Sequence, residues 1–346
     1  MNRRLRQLQS KIRKAGLDAL LITKTANLAY LFGYSEEGCS ALISKRAAFF
    51  LAPILYFPEI KAYLPGTRAV DNSRSSLDKI LSSLKIKKAG FEAENLTVSQ
   101  ARQWRRVFGG SKFLPLNDFV EEFRLVKDST EIDLLKQSLA IAARAYQRCK
   151  AIIKPGISET EVASLIDRSM REQGAEPAFK TIVAGGPGGA CPHHLNTSRK
   201  LKNGEMVVLD FGANYRGYHS DLTRTVFLGK INHKFAHIYA LVLKAQQQAI
   251  AQARPGASAS DLDRAARSVI TTGGMGKYFI HSTGHGVGLE IHEDPRLSRN
   301  EKRKLSAGMV ITVEPGVYVP GWGGVRIEDM VLVTPRGGEV LSRKII

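Results

Sequence analysis

Lys154-Pro-Gly-Ile-Ser-Glu-Thr-Glu161 returns about one hundred residues later as Arg254-Pro-Gly-Ala-Ser-Ala-Ser-Asp261, and this echo decides the architecture of the chain. Each copy closes one helix, turns at Pro-Gly, and offers a serine, Ser158 or Ser258, to cap the helix that follows. Ser158 and Glu161 have the spacing of a capping box, in which serine side chain and glutamate side chain each satisfy the other's free backbone N–H. A helix, a glycine-rich stretch and apolar strand-like runs follow both copies. The simplest reading is a two-fold duplication of a helix–helix–sheet unit.

Upstream of the first copy, Asp128 or Ser129 is placed to cap a long periodic helix running to about Ile153. A domain boundary is expected just before it, giving residues 1–125 and 126–346, and a length of 346 residues suits two domains. Residues 1–125 read as alternating helix and strand. Leu5, Leu8 and Ile12 share one face of a helix ending near Gly16, and Asp18–Thr23, Ser40–Ser44, Ala47–Leu51 and Lys88–Phe91 resemble strands. Ser99 is expected to cap a helix to Val107. This part shows no cluster of chemically active residues, so shape, assembly or substrate gating is its expected role.

Composition narrows the class. Hydrophobic residues at 43% and charged residues at 24% are ordinary for a globular chain. The net charge of +19 is less ordinary, but it divides as +10 over residues 1–125 and +9 over the rest, so it forms no basic tail. Such a charge speaks to solubility and encounter with anions rather than to fold. Cys39, Cys149 and Cys191 are far apart and form no CxxC pair, which points to a reducing cytoplasm. The longest apolar run, Ala47–Phe57, is broken by Pro53 and too short to span a membrane, and no export signal is visible.

The chemistry is concentrated after residue 190. Glu205–Ala213 and Tyr218–Leu228 read as strands joined at Asn214-Tyr-Arg-Gly217. A turn with Tyr215 and Arg216 at its centre would set Asp210 opposite Asp221. In the second half, Val310–Glu314 and Val325–Glu328 flank Pro320-Gly-Trp-Gly-Gly324, and a turn centred on Gly321 sets Glu314 opposite Glu328. Facing side chains on one sheet surface lie roughly 5 Å apart at Cβ. The neighbours Val208, Leu209, Phe211, Val313 and Ile327 are apolar, so these acids belong to buried strands. Four buried carboxylates need compensating positive charge, and divalent metal ions are the simplest source. Oxygen donors favour Mn²⁺, Co²⁺, Fe²⁺, Zn²⁺ or Mg²⁺ over copper, and four acids with one imidazole suit two ions.

The imidazole is sought in His281-Ser-Thr-Gly-His285-Gly-Val-Gly288 and in His292-Glu293. A further pair, His193-His194, follows Gly185-Gly-Pro-Gly-Gly189. That glycine-rich loop lacks the lysine and spacing of a phosphate-binding loop, which argues against a nucleotide site.

Together, Asp210-Phe-Gly, Ser220-Asp221-Leu-Thr-Arg-Thr225, His281-Ser-Thr-Gly-His285-Gly-Val-Gly, His292-Glu-Asp-Pro, Glu314-Pro-Gly-Val-Tyr318 and Arg326-Ile-Glu328-Asp329 resemble the Xaa-Pro peptidases, the prolidases and aminopeptidases P. Residues 1–125 resemble the N-terminal domain of the creatinase/prolidase group. The resemblance implies an α+β chain: a duplicated helix–sheet catalytic domain with the pita-bread fold, preceded by a smaller α/β domain. It implies two metal ions held by Asp210, Asp221, His285, Glu314 and Glu328, with Asp221 and Glu328 shared between them. It further implies that His193 and His292 flank the scissile bond, that His281 lines the proline side of the pocket, and that Arg326 holds the network through charge-assisted bonds. Glu314 is expected to take the proton of the attacking water and pass it to the leaving nitrogen.

The expected substrate is a short proline-containing peptide, and the expected assembly a homodimer formed partly through the N-terminal domain. Arg296, in His292-Glu-Asp-Pro-Arg296, sits where some prolidases have an arginine that would clamp a dipeptide's C-terminal carboxylate, and the chain is compact. Both favour an Xaa-Pro dipeptidase over an Xaa-Pro aminopeptidase. Creatinase, which works without metal, is disfavoured by the intact donor set, and methionine aminopeptidase lacks the N-terminal domain. A nucleic-acid- or protein-binding relative would suit the +19 charge, but such relatives have lost ligands and none is missing here.

Overall fold

The computed structural model describes residues 3–64 and 67–342, and the chain divides into two compact units, residues 1–124 and 125–346. In the first unit the helix Arg3–Lys14 buries Leu5, Leu8 and Ile12. A six-stranded sheet runs in the order Ala69–Asp71, Ala48–Ala52, Ser40–Ser44, Ala19–Ile22, Lys88–Glu92, Lys112–Leu116. The fully buried run Ala19–Ile22 lies near its centre, antiparallel to Ser40–Ser44 and parallel to Lys88–Glu92. Two strands go beyond the sequence reading. Ala69–Asp71 has only three residues, and Lys112–Leu116 contains Pro115, which an edge strand tolerates because it need not donate to a neighbour on that side. The helix Val98–Val107 is capped by Thr97 rather than Ser99, because the reciprocal partner, Gln100, stands three residues after Thr97.

The second unit contains the duplication as structure. The helix pair Ser129–Lys150 and Glu159–Arg171 is matched by His233–Gln252 and Ala259–Thr272. Asp128 caps the first helix in a capping box with Glu131, and Leu135, Leu139, Ala142, Tyr146 and Cys149 form its buried stripe at helical spacing. Phe235, Ile238, Val242, Ala245 and Ala249 do the same in the second half. Backbone hydrogen bonds repeat as well: Gly156 N–H donates to Leu201 and Gly256 N–H to Leu305, at 2.9 Å each. Glu159 N–H donates to Arg199, and Ala259 N–H to Arg303. Ser158 and Ser258 both close capping boxes.

Each half lays its helices on its own sheet. Ile182–Gly185, Met206–Phe211 and Leu222–Phe227 form one; Gly284–Gly286, Val310–Val313 and Asp329–Thr334 form the middle of the other. Two cores follow the division, one around Leu139, Ile166, Leu209 and Phe211, the other around Val242, Leu262, Ile311 and Val313. This duplicated helix–sheet arrangement is the pita-bread architecture. Among the described residues no helix is long and apolar enough to cross a membrane.

The first hairpin corrects the expected register. Tyr215 pairs with Tyr218, so Arg216 and Gly217 form the turn, with φ of 51° and 84°. A two-residue turn with both φ positive matches strand twist, and glycine takes such a position without strain. Moving the turn by one residue moves each partner by two, so Asp210 faces Thr223 instead of Asp221. Asp221 becomes the diagonal neighbour on the same face, still within reach. In the second half Val313 pairs with Asp329 and Gly316 with Arg326, the register that sets Glu314 across from Glu328.

Candidate active site and metal centre

The acids stand where strands end or break. Asp210 lies near the end of Met206–Phe211, Asp221 just before Leu222–Phe227, Glu314 just after Val310–Val313, and Glu328 just before Asp329–Thr334. Gly212 permits the close approach in the first hairpin, since a Cβ there would stand 1.9 Å from the Ser220 carbonyl oxygen. His285 sits in the middle of Gly284–Gly286, where a Cβ on Gly284 would meet the Thr312 carbonyl oxygen at 2.1 Å. Glycines on both sides let this strand press its histidine into the cluster.

Donor atoms of Asp221, His285 and Glu328 lie within 4.8 Å of one another. His285 Nε2 stands 3.6 Å from Asp221 Oδ2 and 3.3 Å from Glu314 Oε1. Its Nδ1 donates to the Gly286 carbonyl at 2.9 Å, because a carbonyl can only accept. That bond turns Nε2 toward the acids, where it carries the proton that Glu314 accepts and is the atom through which a histidine held in this way can bind a metal ion. Thr223 Oγ1 donates to Glu328 Oε2 at 2.7 Å and so joins the two hairpins.

Arg326, 3% exposed, is the organising cation. It donates to Asp210 Oδ2 at 2.5 Å, to Thr223 Oγ1 at 3.0 Å and to the Tyr318 hydroxyl at 2.9 Å. His281 Nδ1 donates to the Ser282 carbonyl at 2.7 Å, so its Nε2 accepts from the Tyr318 hydroxyl at 2.8 Å. Thr223 and Tyr318 lie inside the quoted motifs, but nothing in their local sequence announces these bonds, whose partners are far along the chain.

The charges of the cluster do not balance. Four carboxylates against one guanidinium leave three net negative charges when all are ionised. Burial, then repulsion from Glu328 and Asp210, pushes the Asp221 carboxyl well above the carboxylate range. Burial and repulsion from Glu314 and Asp210 do the same to Glu328. Burial likewise raises Asp210, against the pull of Arg326. Glu314 goes the other way: burial opposes its ionisation, but the hydrogen bond and charge of His285 hold it at about 2. Asp210 Oδ1 and Glu328 Oε1 are buried with no hydrogen-bond partner. Crowded carboxyls that resist ionising without added positive charge, with buried oxygens left unmatched beside an imidazole nitrogen, are the donor set a hard divalent ion takes, so these residues fit the metal that the sequence predicts.

The other expected residues have distinct positions. The His292 ring lies 4.3 Å from the His285 ring, and burial pushes its pKa down, with help from the charges of His285, His193 and Arg296. His193, His292 and Arg296 each keep part of their surface open to solvent. Burial also lowers His281. Pro192, just before His193, accepts from Arg326 at 3.4 Å.

A duplicated pita-bread domain with a buried acid–histidine cluster defines a metallopeptidase. The model of metallopeptidase family M24 matches residues 133–335, and the creatinase/prolidase N-terminal domain matches residues 4–126; the chain belongs to this family. It is 37% identical over 349 residues to an Xaa-Pro dipeptidase of Pyrococcus horikoshii, covering 99% of this chain and 97% of that one. Among solved structures, an Xaa-Pro dipeptidase from Bacillus anthracis is 38% identical with a TM-score of 0.94, covering 98% of this chain and 97% of that one. An X-Pro aminopeptidase from Thermotoga maritima is 34% identical with a TM-score of 0.89, covering 96% and 97%.

Proposed function

We propose that this metallopeptidase is an Xaa-Pro dipeptidase that uses two divalent ions held by Asp210, Asp221, His285, Glu314 and Glu328. One observation carries the reading: Asp221, His285 and Glu328 bring donor atoms within 4.8 Å of one another, with Glu314 beside His285 and carboxyl oxygens of Asp210 and Glu328 left unmatched, in a chain alike over nearly its whole length to proteins named Xaa-Pro dipeptidase. Bound ions would lower the pKa of water and polarise the scissile carbonyl.

The chain's own residues do the rest. Glu314, kept ionised beside His285, takes the proton of the attacking water and delivers it to the proline nitrogen as the C–N bond breaks. His292, whose depressed pKa keeps it neutral, presents an N–H rather than a full charge to the developing oxyanion, with His193 beside it. His281, locked by Ser282 and Tyr318, walls the proline side. Proline nitrogen carries no hydrogen in an Xaa-Pro bond, so recognition must rest on ring shape. Arg296 supplies a cation for the C-terminal carboxylate of a dipeptide.

The X-Pro aminopeptidase likeness supports a second reading, cleavage of longer peptides. Proline release from Ala-Pro against Ala-Pro-Ala separates the two. The dipeptidase reading expects Ala-Pro to be the better substrate, and equal or faster tripeptide cleavage overturns it. The same proposal takes Mn²⁺, Co²⁺, Zn²⁺ or Fe²⁺ as the ion and a cytoplasmic homodimer as the working form. The free thiols of Cys39, Cys149 and Cys191 support the reducing compartment.

A further inference from the structure

The duplication sets Glu159 level with Ala259, and Asp263 level with Ala163. Both acids are almost fully buried, at 0% and 1% exposure, and both alanines are buried as well. The two positions are four residues apart, so each half carries a single buried acid on the same face of its second helix, shifted by one turn.

What the acids hold is alike. Glu159 accepts from Gly185 N–H at 3.0 Å, Thr197 N–H at 2.9 Å, Thr197 Oγ1 at 2.8 Å and His194 Nε2 at 2.9 Å. Those contacts close the base of the loop 185–197, which presents His193. Asp263 takes a two-pronged bond from Arg267 at 2.9 and 2.7 Å and another from Thr283 Oγ1 at 2.9 Å. Arg267 continues to the carbonyls of Phe279 at 2.9 Å and His281 at 2.8 Å, with its guanidinium 4.0 Å from the Phe279 ring. That pair closes the segment 279–283, which presents His281. Among the described residues neither acid hydrogen-bonds any of the five metal-site donors. Four bonds to one buried carboxylate, and a fork shared with two carbonyls, exceed what capping a helix needs.

We propose that Glu159 and Asp263 are paired positioning residues: Glu159 sets His193, and Asp263, through Arg267, sets His281, so each half orients one histidine toward the same substrate. The claim rests on the Xaa-Pro peptidase reading of those histidines.

A crossed double-mutant cycle on the full-length, metal-loaded chain tests it with Ala-Pro. Glu159→Gln keeps the side-chain size but turns an amide toward the donors. It lowers kcat about tenfold, in the range for partners that orient a working histidine. In a His193→Ala background the further loss disappears, whereas in His281→Ala it persists in full. Asp263→Asn shows the reverse pairing. Equal losses in both backgrounds mean the acids act only on general stability and overturn the proposal. Should Asp263→Asn not fold, Arg267→Lys, which keeps the charge but loses the fork, enters the same cycle. Amide hydrogen exchange gives a readout without activity: Glu159→Gln speeds exchange at Gly185 and Thr197 only, and Asp263→Asn at 279–283 only. Faster exchange over both loops in either variant overturns the anchoring. If the native chain does not hydrolyse Ala-Pro in any metal, the proposed function fails, and the exchange pattern still decides the anchoring.

Discussion

Arg326 holds one oxygen of Asp210 at 2.5 Å and leaves the other, Oδ1, buried without a hydrogen-bond partner. The guanidinium thus engages one oxygen of the carboxylate and leaves the second with its lone pairs unused. This half-satisfied acid is poorly suited to a structural ion pair and well suited to a ligand.

Removing that cation leaves Asp210 buried among three further acids. Arg326→Met therefore lowers the stability of the metal-free protein by about 3–5 kcal/mol, read from denaturant unfolding. Arg326→Lys keeps a charge but cannot reach Asp210, Thr223 and Tyr318 together, so it folds while kcat on Ala-Pro falls about 10- to 100-fold. A lysine variant with native turnover contradicts this account of the network.

Asp221 is held above its ordinary pKa by burial and by its acidic neighbours. A folded-state pKa above the unfolded value means stability present below the unfolded pKa is lost as pH rises through the folded one. Asp221→Asn removes that loss. In chelator, the variant melts higher than the native chain, and the gap widens from about pH 4, the ordinary aspartate value, upward. Thermal unfolding across that range checks it; a gap that shrinks with rising pH has the wrong sign.

Arg296 is exposed, close enough to His292 to lower its pKa, and carries a charge a dipeptide can use. Arg296→Gln raises KM for Ala-Pro about 10- to 100-fold, the value of a lost charge-assisted hydrogen bond, with little change for Ala-Pro-Ala. Parallel changes for both peptides exclude the carboxylate clamp.

Gly212 stands between the two aspartates, and any side chain there strikes the Ser220 carbonyl. Gly212→Ala forces the strands apart, destabilising the protein by about 1–3 kcal/mol and weakening metal affinity. Calorimetric metal titration alongside denaturant unfolding measures both, and native affinity with native stability would show that the close approach is unimportant.

Much of this is legible in the sequence itself. Pro-Gly followed by a capping serine is strong local punctuation, so the duplication could be read directly, and Gly321 marked the turn that sets Glu314 across from Glu328. The first hairpin was not legible in the same way. Its turn gives a positive φ to Arg216, a residue whose type does not announce one, and a one-residue error there moves every partner by two. Proximity of Asp210 and Asp221 survived because the pleat repeats every two residues. The supporting residues were illegible for a different reason. Thr223 meets Glu328 across 105 positions, and Glu159 meets Thr197 across 38, contacts that only the folded duplication creates.

The number of divalent ions bound per chain bears most directly on the whole account. Elemental analysis after equilibration with Mn²⁺ and removal of free metal is predicted to find two ions per native chain. Asp221→Asn and Glu328→Gln chains retain fewer than one, and Ala-Pro hydrolysis is lost with them. Undiminished Ala-Pro hydrolysis by a chain shown to be free of metal, or by the Asp221→Asn variant, would contradict it.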